Sequence, residues 1–167
     1  MLIIDYLDKN DKLFWLPKLF DLMCENMRHI SSNALTYKEQ CNRWIKTISD
    51  ALEKPNRMII VCFIDGFLAG FVQYYTRNDL IMIEELQIEK NYHSSALLLH
   101  ICRFLLEKTS DDIAYIEAYA ERENFHSQNI MCRLGMKKLD DTSDSHFLHF
   151  RGTVEKIRRF SGKKQNT

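Results

Sequence analysis

LIMIEELQIEKNYHSSALLLHICRFLLE, residues Leu80 to Glu107, is the stretch that decides the fold. Its first part, Leu80 to Ile88, is apolar and rich in strand-forming residues, with two carboxylates, Glu84 and Glu85, set into it. From Ser94 the apolar residues recur at helical spacing. Between them lies a polar turn, Glu89 to His93. A strand that feeds a helix through such a turn aims the helix N-terminus, with its unpaired N–H groups and positive dipole end, at whatever sits above the sheet. That arrangement attracts an anion, and the carboxylates beside it can handle protons.

Working outward, the segment before this stretch reads as a meander. Met58 to Ile64 is a strand, Asp65-Gly66 a two-residue hairpin turn and Phe67 to Thr76 its partner. Asn78-Asp79 then turns the chain into Leu80. Upstream, Leu2 to Tyr6 predicts a short edge strand. Phe14, Leu16, Leu19, Phe20, Met23 and Met27 predict a helix that ends at Ser31 to Asn33, with Pro17 near its first turn. A second helix starts at Thr36, where Thr36 and Glu39 spell a capping box, and runs to about Glu53. Downstream, a helix to Lys108 precedes a strand at Ile113 to Ala120. A helix from Asn124 to Leu134 is closed by Gly135, and a last hairpin pairs Met136–Leu139 with His146–Arg151. The tail from Thr153 is basic and reads as frayed. The expected architecture is α/β: a mixed, mostly antiparallel central sheet flanked by helices on both faces, in one domain over residues 1–152 with a basic tail over 153–167.

Composition narrows the classes. At 167 residues the chain fits one domain, and 46% hydrophobic residues suffice for a core. Lysine plus arginine equals aspartate plus glutamate at 23 each, so no global field argues for nucleic acid or a membrane surface. No apolar run reaches the roughly 18 residues a membrane helix needs, and no signal peptide is readable. The five cysteines are scattered without a Cys-x-x-Cys pair, which predicts reduced thiols, a cytoplasmic setting and no zinc site. His146 and His149 stand on opposite faces of a strand and make poor joint metal ligands.

Two stretches resemble the GNAT superfamily of acyl-CoA-dependent N-acetyltransferases. In the first, Leu86 to Leu106, Ile88 ends the strand and Tyr92 stands at a place the family often fills with an aromatic. His93 takes the family's Arg/Gln place, and Ala96 and Leu98 take its two glycine places. The second, Asn124-x-x-Ser127-x-x-Ile130-Met131-x-x-Leu134-Gly135-Met136, is similar to the family's Asn-x-x-Ala-x-x-apolar-Tyr-x-x-Leu-Gly-Phe segment. Both align without a gap, and the element order matches from about Met1 to Arg151.

The resemblance implies acetyl-CoA as acyl donor and transfer to a primary amine, from a small molecule or a peptide. It places the cofactor on Leu86, Gln87 and Ile88 through backbone pairing, and on His93, Ser94, Ser95, Ala96 and Leu97 at the helix start. Asn124, Ser127 and Met131 line its groove. Glu84 or Glu85 is the candidate base, Glu84 first, because it shares a face with Leu86 and Ile88. Tyr119 is the candidate acid or substrate contact. Exposed strands near the C-terminus often pair in such folds, so a homodimer is open. Leu98 in place of glycine and Met131 in place of the family's tyrosine thin the phosphate cradle and vacate one catalytic role. They motivate an alternative, a catalytically degenerate GNAT-fold binding or regulatory module. Glu84 and Glu85 also have a purely structural reading, as a solvated strand face or as partners of Arg77 or Arg122.

Overall fold

A computed structural model of the chain describes residues 1–28, 35–93, 96–139 and 146–162. Ser94 and Ser95, the expected helix end at Ser31 to Asn33 and the polar loop Asp140 to Ser145 lie outside the described residues. The elements run β1 (Leu2–Tyr6), α1 (Lys12–Met27), α2 (Tyr37–Ala51), β2 (Arg57–Ile64), β3 (Phe67–Arg77) and β4 (Leu80–Ile88). After a single 3-10 turn (Lys90–Tyr92) come α3 (Leu97–Glu107), β5 (Tyr115–Glu121), α4 (Phe125–Arg133), β6 (Lys137–Lys138), β7 (Phe147–Thr153) and α5 (Val154–Gly162). The strands form one seven-stranded sheet in the order β1-β2-β3-β4-β5-β7-β6. It is mixed: β1–β2, β5–β7 and β6–β7 are antiparallel, and β4–β5 is parallel. The parallel pair is joined through α3, as a parallel connection requires.

The chain falls into two compact units, Met1–Tyr74 with Glu85–Ser94, and Tyr75–Glu84 with Ser95–Thr167. In the first, α1 and α2 cover β2 and β3. Leu16, Leu19 and Leu22 of α1 and Ile48 of α2 meet Ile59, Val61 and Phe71 in one buried cluster. Each such side chain withdrawn from water contributes about 1.5–3 kcal/mol. The capping box at α2 forms as read: Thr36 Oγ1 accepts from Glu39 N, and the Glu39 carboxylate accepts from Thr36 N at 2.9 Å. Asp65 and Gly66 take φ of +50° and +85°, the left-handed pair of a tight hairpin turn. Pro17 is a correction. The helix starts at Lys12, so Pro17 stands in the second turn and leaves the Leu13 carbonyl without that intrahelical donor.

In the second unit, α3 buries Leu97, Ile101, Cys102, Leu105 and Leu106. The chain after Thr153 is a second correction. It continues as α5, because Val154, Ile157 and Ser161 fall on one helical face and are buried. Arg103 of α3 donates to the Ser161 carbonyl. Lys156, Arg158 and Arg159 are exposed on the helix's other faces, with Arg159 paired to Glu155, while Lys163 and Lys164 lie outside the described residues.

Candidate functional site

Alternation and register build the site in the second unit. The registered β4–β5 pairs run from Leu80 opposite Tyr115 to Ile83 opposite Ala118. Glu84 and Tyr119 each follow the last pair by one residue, so they stand level on neighbouring strands. A cavity of about 410 Å³ lies here. Tyr75, Arg77, Leu80 and Met82 line it toward the β3–β4 turn, and Ile83, Glu84, Glu117 and Tyr119 line the rest. Its size falls within the usual range for small-ligand sites.

Glu117 and Tyr119 share a face of β5, two residues apart. The β5–β7 register sets Arg151 opposite Glu117 and His149 opposite Tyr119. Glu117 is only 3% exposed. Its Oε2 accepts from His149 Nε2 at 2.9 Å, and its Oε1 accepts from the Arg151 guanidinium. A carboxylate only accepts, so this bond puts the His149 proton on Nε2. Two charge-assisted partners offset the cost of burying the carboxylate. The Tyr119 ring stacks on His149, centroids 4.3 Å apart and planes 12° from parallel, with Tyr119 47% exposed. Arg77 is exposed and makes no hydrogen bond or ion pair among the described residues. It is therefore not the structural partner of either glutamate of β4.

The first unit holds the end of β4. Gln87, buried, donates from Nε2 to Glu85 Oε2 at 3.0 Å and accepts at Oε1 from Asn26 Nδ2 of α1 at 2.9 Å. Asn26 Nδ2 also donates to the Ile88 carbonyl at 2.9 Å, and His93 Nε2 donates to the same oxygen at 2.8 Å. A Cβ at Gly70 would stand 2.7 Å from the Gln87 carbonyl oxygen. Glycine is what lets β3 lie this close to the end of β4.

The structure thus separates the two glutamates. Glu84 lines the cavity with Tyr119, and Glu85 is tied into the Asn26–Gln87 network. Leu86, Gln87, Ile88 and His93 belong to the first unit. The Ile88 carbonyl is taken twice, and the Nε2 of His93 points back to it. At the start of α3, Ala96 is the N-cap and supplies no side-chain bond, and no acid sits in the first turn. Leu97, at 2% exposure, is the side chain turned into the core; Leu98 is half-buried. Asn124 caps α4, its Oδ1 accepting from Ser127 N at 3.0 Å, and Ser127 and Met131 are half-buried. Sequence reasoning missed Glu117, His149 and Arg151. A lone acid between Ile116 and Ala118 was the available signal, but its partners depend on the β5–β7 register.

Burial pushes the Cys62 and Cys102 thiols up to about 12. All five cysteines carry free thiols, and Cys132 is exposed. No helix of the described residues is long and apolar enough to cross a membrane.

No protein-family model matches the sequence, and no curated protein matches it significantly. Solved structures do match. An acetyltransferase from Thermus thermophilus is 12% identical with a TM-score of 0.73, over 92% of this chain and 97% of that one. The PaiA N-acetyltransferase from Thermoplasma acidophilum, solved with coenzyme A, is 16% identical with a TM-score of 0.69, over 92% and 99%. A GNAT-family acetyltransferase from Streptococcus pneumoniae is 11% identical with a TM-score of 0.61, over 92% and 99%. At such identities the likeness is one of architecture, and over nearly its whole length this chain has the fold of the GNAT acetyltransferases.

Proposed function

We propose that the chain is an acetyl-CoA-dependent N-acetyltransferase acting on a primary amine. The observation that carries the reading is the cavity in which Glu84 and Tyr119 stand level on the parallel strands β4 and β5, in a chain with this fold. Acetyl-CoA supplies an activated thioester. The amine nitrogen attacks its carbonyl carbon, the C–S bond breaks and the thiolate leaves. Glu84 takes the proton from the attacking amine. Tyr119 gives its proton to the leaving sulfur, filling the role vacated by Met131. Glu117, committed to His149 and Arg151, holds the His149 ring against Tyr119 and acts as a positioning residue. Glu85, bonded to Gln87, holds the end of β4 instead.

For the coenzyme, the start of α3 fits an anion. Its N-cap, Ala96, is small and lends no side chain, its first turn carries no acid, and Leu97 faces the core. Phosphates are assigned to the backbone here, together with Ser94, Ser95 and His93. Leu86, Gln87 and Ile88 are assigned to the pantetheine arm by strand-like pairing. With the Ile88 carbonyl already taken and the Gln87 carbonyl turned toward Gly70 of β3, Leu86 carries most of that pairing. Asn124, Ser127 and Met131 are assigned to the groove wall. The five free thiols suit a cytoplasmic setting.

The test is acetyl transfer to a panel of primary amines, followed by free CoA thiol, with wild type and Glu84→Gln side by side. Turnover by wild type that falls in the variant is expected. Absence of turnover with every amine, despite acetyl-CoA binding, would favour the degenerate binding module, which draws on Leu98 and Met131 at two family positions.

A further inference from the structure

We infer that the acceptor taken by this cavity is an elongated amine whose far end carries an anionic group, a carboxylate or a phosphate, held by Arg77. The inference rests on the acyl-transfer reading for which end of the cavity reacts, the end at Glu84 and Tyr119. Arg77 directly precedes the two-residue Asn78-Asp79 turn, so it stands opposite Leu80. From Leu80 to Glu84 is four residues along β4, about 13 Å at the strand rise. The cavity therefore has a carboxylate at one end and a guanidinium at the other, with Met82 and Tyr75 between them.

The charges differ in commitment. Glu117, the other carboxylate lining the cavity, is ion-paired with Arg151 and hydrogen-bonded to His149. Arg77 has no carboxylate or carbonyl partner among the described residues. Its planar fork matches carboxylate and phosphate oxygens two at a time, which a plain alkyl tail cannot use. A simple alkylamine would reach the reactive end and leave this cation unanswered. A second cation at the far end, as in a diamine, would be repelled by it.

The experiment uses the full chain and reads binding, not turnover. γ-Aminobutyrate, ε-aminocaproate and ω-aminocaprylate are titrated calorimetrically beside n-alkylamines of equal length, and beside an aminoalkyl phosphonate to tell the two anions apart. The longer amino acids, or the phosphonate, should bind at least about tenfold tighter than the matched alkylamine. Arg77→Leu should abolish that preference and Arg77→Lys should keep part of it. Thermal melting checks that both variants fold, which the exposure of Arg77 favours. Equal binding of acid and alkylamine by wild type, or a preference that survives in Arg77→Leu, would overturn the inference. The predicted binding pattern without acetyl transfer to any of these amines would refute the acyltransferase reading and leave the charge-matched cavity standing.

Discussion

At the scale of the residue, the account turns on two carboxylates in one cavity with opposite assignments. Glu117 is buried between a guanidinium and an imidazole, and both of its oxygens accept bonds from them. Glu84 lines the same cavity and, like Tyr119, follows the last registered β4–β5 pair by one residue. Glu84→Gln should therefore lower kcat by about 10²–10⁴-fold with acetyl-CoA affinity nearly unchanged, read by steady-state kinetics and titration. An equal loss of acetyl-CoA binding would show that the residue shapes the fold and not the chemistry. The sequence pointed to Glu84, Glu85 and Tyr119 because acids and a tyrosine at strand positions are visible as letters. Strand alternation puts Glu84 ahead of Glu85, but only the Asn26–Gln87 bonds show where Glu85 is tied. Nor could the sequence pair Glu117 with His149, 32 positions away.

At the scale of the element, two local rules can be broken one at a time. The capping box of α2 depends on the Thr36 hydroxyl and the Glu39 carboxylate. Thr36→Ala should lower Tm by roughly 2–4 °C at neutral pH. The Thr36 side-chain and backbone bonds hold the Glu39 carboxyl below its ordinary value. A depressed acid stabilises the native state above its unfolded pKa and loses that contribution as pH falls through the folded value. The gap between wild type and Thr36→Ala should therefore narrow on acidification, as thermal melts across pH would show. Gly70→Ala tests the close approach of β3 to the end of β4. A methyl 2.7 Å from the Gln87 carbonyl forces the strands apart and should cost about 1–3 kcal/mol in denaturant unfolding. It should also weaken acetyl-CoA binding, because the displaced backbone is the proposed pantetheine edge. Turns and caps of this kind were legible in the sequence, since Asp-Gly and Thr-x-x-Glu carry their own backbone geometry. The helix α5 was not, because a run of lysines and arginines hides the short apolar period of Val154 and Ile157.

At the scale of the whole chain, element order up to β7 was readable from period changes, and the resemblance across Leu86–Leu106 and Asn124–Met136 supplied the architecture that the solved structures match. The division into two compact units was not readable, because β3 and β4 each contribute to both and no linker marks the change. A stability effect also belongs at this scale. Cys62 and Cys102, held up to about 12 by burial, keep their protons in the native state while the unfolded chain loses them at higher pH. Their contribution is full below the unfolded thiol value and falls as pH rises toward about 12. At neutral pH, alkylation followed by mass spectrometry should label Cys132 and spare these two.

The measurement that bears most directly on the central claim is a calorimetric titration of the full chain with acetyl-CoA, with CoA and dephosphorylated pantetheine alongside. Binding in the micromolar range, about 8 kcal/mol, with a clear loss when the phosphates are removed, is the predicted result. No heat up to millimolar acetyl-CoA would contradict the account, because an acetyltransferase fold that cannot hold its acyl donor has no group to transfer.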